Sequence, residues 1–580
     1  MLVWPQLELD PGEPQSHQTT TNGTTARNNA TVVAFTMNHQ SSLGRISFVL
    51  LLVLLQHSQC LPRLDPLVDT NVGLIRGLRA DDGNYSKFLG IPYAQVNPDN
   101  PFGESRAQPK FEEIFEAYDE SAVCPQMYWW TGEIDGNPNC LQLNIFVPDT
   151  ANSNNRLPVM VWIYGGAFER GEFSTKLYGP RYLIKHDVII VTINYRVGPY
   201  GFMCLDTPDI PGNQGLKDQH LGMQWIKDNI EAFGGDANQI TLFGLSAGGH
   251  SIDLHLLSQK EVVYNKVIMQ SGSSLAATVL YEPDRSAHIK LAQHLGFKTM
   301  DTDEAISFLA KSDSKLVVAA TRDLGIVFKP CIENNFEGVD PFLNSSWIHA
   351  ATPKVRDMPV LTGYNEHELA GTHFNKDVEY FKDLTIISDY MQRLFNFDEE
   401  ELQEMSDSIA HFYFGDEPIS SDIKMPLIYL DSDFTYIHPI QRSIQKYIEA
   451  RARNVYYYVF SYLGGRNSIL ANDGDENTVC CAAHSDDAPY IFDMVNKPPP
   501  TAHDEVVIER MTTMWTNFAK YGDPTPQTTE LLPVKWESVT KETYNYMNIG
   551  SELSMGRRPA HDRMAFWDLF YKLNGNKHKM

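Results

Sequence analysis

Long apolar runs are missing from this chain. No stretch reaches the roughly 18 residues that a helix needs to cross a bilayer, which excludes a bundle of membrane helices. Basic residues are few: 47 Lys and Arg stand against 73 Asp and Glu, a net charge of −26. That surface repels nucleic-acid phosphates and anionic lipid heads, so neither is a main partner. P-loop, His-Glu-x-x-His and dinucleotide fingerprints are absent, and nothing in the sequence calls for a metal or an organic cofactor. There is no internal repeat. With 42% hydrophobic and 21% charged residues the composition is globular, neither disordered nor fibrous as a whole. The length of 580 residues suits one large unit with long insertions.

What is present begins with the N-terminus. Residues 1–45 are polar and rich in Thr, Asn and Gln. Arg45 then precedes an apolar core, Ile46–Leu55, and Ser58 and Cys60 take the −3 and −1 positions of a cut before Leu61. This is the grammar of a secretory signal. Met37 would give that signal ordinary proportions. The expected division is therefore an upstream extension or disordered leader over 1–36, a signal peptide over 37–60, and one domain over 61–580. Secretion into an oxidising compartment permits disulfides. Cys124 and Cys140 enclose a polar, turn-rich loop and form the best pair. Adjacent Cys480 and Cys481 are geometrically poor partners for each other. The connectivity of Cys204, Cys331, Cys480 and Cys481 is left open. Asn84 and Asn344 head glycosylation sequons.

The middle of the chain alternates apolar runs with helical patterns. Pro158–Tyr164, Val188–Ile193, Ile240–Phe243 and Val267–Met269 are apolar on both faces. Strands of that kind lie inside a parallel or mixed sheet covered by helices. Leu221, Trp225, Ile226 and Ile230 share one helical face between the second and third runs, so the class is α/β. Runs at Met358–Leu361 and Val455–Phe460 extend the same sheet, and the long segments between them read as helical insertions.

Gly244-Leu245-Ser246-Ala247-Gly248 follows an apolar strand and precedes a helical pattern. A nucleophile elbow needs that placement, because a tight strand-to-helix turn lifts the serine hydroxyl out of the sheet. The following helix aims its N-terminal N–H groups at the reacting centre. Upstream, Tyr164-Gly165-Gly166-Ala167-Phe168 ends a strand with small residues. There the N–H groups of Gly166 and Ala167, with that of Ala247, can face a substrate oxyanion. An acid and an imidazole base complete such a site in the chain order Ser, acid, His. Spacing leaves Glu366 and Glu368 open as the acid. His484, flanked by small residues, competes with His373 and His503 as the base.

Many ordered segments resemble the type-B carboxylesterases, the carboxylesterase and cholinesterase branch of the α/β-hydrolases. They include Phe88–Ala94, Cys140–Ile145, Tyr164–Phe168, Asn194-Tyr195-Arg196, Gly212–Gln219, Phe233–Asp236, the serine elbow, Trp515–Pro524 and Arg563–Trp567. The likeness runs from about residue 65 to about 571. It implies an α/β-hydrolase fold, a large, mostly parallel mixed sheet flanked by helices with long helical insertions. It implies Ser246 as nucleophile, Glu368 as acid, His484 as base, and Gly166, Ala167 and Ala247 as the oxyanion hole. It matches Cys124–Cys140 to the family's first disulfide and gives a small-molecule ester as substrate. Oligomeric state is not readable. The leader and the Asn97–Phe102 region look like those of secreted insect carboxylesterases.

Departures carry information too. Leu245 stands where cholinesterases have Glu, and Pro138-Asn139 replaces the family's acidic pair. The Cys124–Cys140 loop is short, although Trp129 and Trp130 lie in it. Phe168, Phe202, Met203 and Phe374 are either pocket lining or core. The expected function is a secreted serine carboxylesterase acting on neutral, apolar esters. The rivals are a cholinesterase-type hydrolase and a non-catalytic adhesion member of the same fold; such members usually lack a triad residue, and all three are present here.

Overall fold

The structure is a computed structural model and describes residues 65–128, 131–279, 281–346, 350–468 and 481–579. The leader, the signal segment, Trp129, Trp130 and Cys480 lie outside the described residues.

An 11-stranded sheet organises the domain. In chain order its strands are β1 Leu78–Arg79, β2 Tyr85–Pro92, β3 Gln142–Pro148, β4 Leu157–Ile163, β5 Ile189–Ile193 and β6 Gly235–Leu245. They continue with β7 Lys266–Gln270, β8 Pro359–Asn365, β9 Asn454–Phe460, β10 Asn545–Ile549 and β11 Leu553–Arg557. The spatial order is β1-β2-β3-β5-β4-β6-β7-β8-β9-β10-β11. Pairings from β5 across to β10 are parallel, while the pairs at either end are antiparallel. Every residue of β4, β5, β7 and β8 is buried, as strands covered on both faces must be. Trp162 on β4 packs against Tyr178, Phe243 and Phe492 at the centre of the core.

Helix α1 (Gln214–Asn229) lies between β5 and β6, and helix α2 (Ala247–Leu257) follows β6 directly. Residues 366–453, between β8 and β9, carry the helices α3 (Lys424–Ser432) and α4 (His438–Glu449). A π-helical turn, Asp433–Ile437, joins these two, and Pro439 follows it in the first turn of α4. Proline lacks an N–H and its ring crowds the carbonyl four residues back, so the ladder widens there rather than continuing as regular α-helix. Helices α5 (Ala502–Tyr521) and α6 (His561–Asn574) close the chain. Cys124 bonds to Cys140 and Cys204 to Cys331, and Cys481 is also disulfide-bonded. Among the described residues no helix is long and apolar enough to cross a membrane.

Candidate active site

Leu245 ends β6 and Ala247 begins α2, so Ser246 alone makes the turn, with φ 57° and ψ −124°. A side chain in that region is strained, and the surroundings must hold it. The Ser246 N–H donates to the Gln270 carbonyl of β7 at 2.9 Å, and the His250 N–H closes back on the Ser246 carbonyl at 2.8 Å. The flanking glycines are demanded by close approach. A Cβ on Gly248 would sit 1.9 Å from the Ile163 carbonyl, and one on Gly244 would sit 2.7 Å from it.

The same strand end, β4, feeds the second turn. Gly166, Ala167 and Phe168 have successive positive φ values of 120°, 59° and 64°. This coiling turns backbone N–H groups to one side, the geometry of an anion-binding nest. Among the described residues the N–H groups of Gly166, Ala167 and Ala247 find no protein acceptor. The carbonyls of this turn are tied down instead. Gly198 N–H donates to Phe168 O at 2.7 Å, and Lys329 Nζ donates to Ala167 O at 2.5 Å while pairing with Glu169 at 2.9 Å. Burial holds the Lys329 ammonium below its ordinary range.

Glu368 comes from the loop after β8. Its side chain is fully buried, and Oε1 accepts from Ser271 Oγ at 2.6 Å and from the Asn365 N–H at 2.7 Å. Oε2 meets His484 Nδ1 at 2.5 Å, and the His484 N–H donates to the Glu368 carbonyl at 2.9 Å. The loop carrying His484 is fastened by Asp486, whose carboxylate accepts the N–H groups of Ala483 and Ser468. Burial raises Asp486 to about 6.

The competing residues sit elsewhere. Glu366 has a half-exposed carboxylate near His367. His373 is buried against Asp431 at 2.6 Å, and His503 is exposed at the start of α5. The structure therefore joins Glu368 to His484, sets the second turn against Ser246, where a Cβ on Gly165 would sit 2.9 Å from the serine Cβ, and places the alternatives elsewhere.

One side chain escaped the sequence reading. The group that meets His484 Nε2 is Tyr436 of the π turn, with its hydroxyl at 3.4 Å. Its ring lies against the imidazole at 4.6 Å between centroids. Ring contacts continue from Tyr436 to His250 at 6.2 Å, to Phe168 at 6.3 Å and to Phe202 at 5.0 Å. Phe168, Phe202 and Met203 are buried in the core, and Phe374 packs against the small cluster that holds Ala483. Burial drives His250 down to about 3, so no second imidazolium opposes a charge on His484.

The carboxylesterase family model matches residues 64–567. The chain belongs to the carboxylesterase family. A carboxylic ester hydrolase of Bombus ignitus is 28% identical, the match covering 88% of this chain and 95% of that relative. The bile salt-activated lipase of Homo sapiens is 30% identical over 87% of this chain and 69% of its own length. Among solved structures, juvenile hormone esterase from Manduca sexta, with OTFP covalently attached, superposes with a TM-score of 0.75. That match is 26% identical and covers 88% of this chain and all of the other. This carboxylesterase is a carboxylic ester hydrolase on an α/β-hydrolase fold, with an ester of a small molecule as substrate.

Proposed function

We propose that this chain is a secreted serine esterase that hydrolyses neutral, apolar carboxylic esters through an acyl-enzyme. The observation that carries the reading is the convergence of a strained elbow serine, a carboxylate-held imidazole and three unpaired N–H groups. Ser246 Oγ attacks the ester carbonyl while His484 receives the serine proton as base. Glu368 fixes the imidazole with its proton on Nδ1 and offsets the positive charge that develops. The N–H groups of Gly166, Ala167 and Ala247 receive the oxyanion, and His484 returns the proton to the departing alcohol. Water repeats the sequence on the acyl-enzyme.

Two features favour a neutral substrate over an acylcholine. A quaternary ammonium needs aromatic faces or a carboxylate to offset its lost hydration. Leu245 supplies no such group beside the serine, and Lys329 already holds a cation against the oxyanion turn. The neutral member of a pair of equal-sized thioacetates should exceed acetylthiocholine in kcat/KM by at least about tenfold. Preference for the choline ester would establish the cholinesterase reading instead.

Replacing the nucleophile tests the mechanism. Ser246→Ala should abolish hydrolysis of an activated acetate while the protein still folds, leaving at most roughly 10³-fold catalysis over water. Activity within tenfold of the parent would remove Ser246 from its role and bring back the non-catalytic reading of the fold. For the secreted assignment, the mature chain should begin near Leu61 and carry glycans at Asn84 and Asn344, which N-terminal sequencing and glycopeptide mapping will read.

A further inference from the structure

We infer that Lys329 is a positioning residue of this esterase: its ammonium, set on the Ala167 carbonyl, holds the turn at 166–168 so that the N–H groups of Gly166 and Ala167 stay presented to an oxyanion. The inference rests on the proposed roles of Ser246 and of those N–H groups, and adds what keeps them in place.

The bonding of the turn, carbonyl by carbonyl, singles the lysine out. The Gly166 carbonyl accepts from the N–H groups of Glu169 and Arg170 at 3.1 and 3.2 Å, and the Phe168 carbonyl takes the Gly198 N–H. Between them, among the described residues, no backbone N–H reaches the Ala167 carbonyl, and Lys329 Nζ is its donor. This is also the peptide most in need of a hold. It joins Ala167 to Phe168, two residues with Cβ atoms and both at positive φ, a conformation that persists only where the surroundings fix it. Once released, the peptide can rotate to relieve the strain at Phe168. The preceding peptide, which carries the Ala167 N–H, then moves with it.

A charged donor is costly at such a place, and the fold supplies one nonetheless. The Lys329 side chain is only 8% exposed, and an ammonium withdrawn from water needs close partners. Glu169 of the same turn provides the opposite charge, its Oε1 at 2.9 Å, so Nζ ties two points of the turn together. The root of the lysine is fixed as well. Two residues on, Cys331 is bonded to Cys204, and its N–H and carbonyl meet the Asn213 side chain at 2.9 and 2.8 Å. The ammonium binds a carbonyl and leaves the N–H groups free, so it adds positive potential at the turn without occupying the donors. Any shift of the turn is felt at the elbow, because a Cβ on Gly165 would sit 2.6 Å from the Leu245 carbonyl.

Lys329→Met in the full chain tests the brace, since it keeps an apolar stem and removes the charged donor. Rates are read on p-nitrophenyl acetate, and affinities on an alkyl trifluoromethyl ketone and the methyl ketone of the same chain. The fluorinated ketone takes Ser246 Oγ onto its carbonyl carbon and carries an oxyanion, whereas the methyl ketone binds as the ketone. We expect kcat to fall about 30-fold with KM within about twofold, and the advantage of the fluorinated ketone to shrink by about the same factor. Lys329→Arg, which restores a cationic donor, should return both to within about fivefold of the parent. A kcat within about threefold in Lys329→Met, or a lower kcat with the ketone advantage intact, would overturn the brace while leaving the oxyanion turn in its role. Equal affinity for the two ketones in the parent would overturn the oxyanion reading and the brace with it. If Lys329→Met does not fold, Lys329→Gln decides by the same pair of ketones: a lost advantage supports the charged brace, and a retained one overturns it.

Discussion

Glu366 and Glu368 carry the same carboxylate two residues apart and meet opposite surroundings. Glu368 is fully buried with Ser271, Asn365 and His484 as donors, whereas Glu366 keeps half of its side chain in solvent. Glu368→Gln should therefore lower kcat by about 10³–10⁴-fold, since an amide neither holds the required tautomer nor offsets the imidazolium. Glu366→Gln should leave kcat within about threefold, and steady-state rates on an activated acetate will separate the two. Such a difference was not legible in the sequence, where both acids follow the same strand. Ser246 was, because its signal is local: a strand, glycines where backbone approaches, then a helix. His484 was distinguished from His373 and His503 by resemblance alone, since the contact that selects it spans 116 residues. Tyr436 gave no sign at all, as an aromatic at helical spacing reads as core. The nearest hint was Pro439, three residues on, which marks a helix that cannot run regularly.

The π turn shows how an element is held in an unusual form. Asp433 is fully buried, raised to about 6 by its burial, and joined to Arg563 and to the Tyr413 hydroxyl. Arg563→Met would strand that carboxylate without its partner, and the unfolding free energy should fall by about 3–5 kcal/mol. Adding Asp433→Asn should restore part of the loss, measured by denaturant titration of both variants. Elsewhere the strands of the sheet interior were legible because both of their faces are apolar. The short strands β10 and β11 at one end of the sheet were not: each has only five residues, β10 alternating buried with half-buried ones and β11 having one buried residue followed by exposed and half-buried ones. The start of α1 was hidden for a different reason. Its first six residues bury Gln214, Lys217, Asp218 and Gln219, and polar residues in a core interrupt the apolar periodicity on which the sequence reading depends.

Over the whole molecule, buried ionisable groups set the response to acid. Burial pushes His220 and His367 to about 4 and His250 to about 3, against about 6.5 in the unfolded chain. Their contribution to stability is present above pH 6.5 and is lost as the pH falls through 4, because the unfolded state binds their protons first. Asp433 and Asp486, raised from 3.8 to about 6, act in the opposite sense: their contribution is full below 3.8 and is lost as the pH rises through 6. Three histidines with larger shifts outweigh two carboxyls. The melting temperature should therefore fall steadily from pH 6.5 towards 4, and His220→Gln should flatten the slope. A melting temperature that holds or climbs over that range would mean these imidazoles are not buried as neutral groups.

The bond between Cys204 and Cys331 closes a loop of 127 residues and fastens the shoulder after Phe202 to the segment bearing Lys329. Lys329 in turn grips the carbonyl of Ala167. The history of the molecule is thereby written into its chemistry. A copy folded where thiols stay reduced has the same sequence, lacks about 2–4 kcal/mol of restraint, and carries an oxyanion turn whose outer brace is free to drift. On the proposed reading of that turn, activity would then depend on whether the chain folded where thiols oxidise.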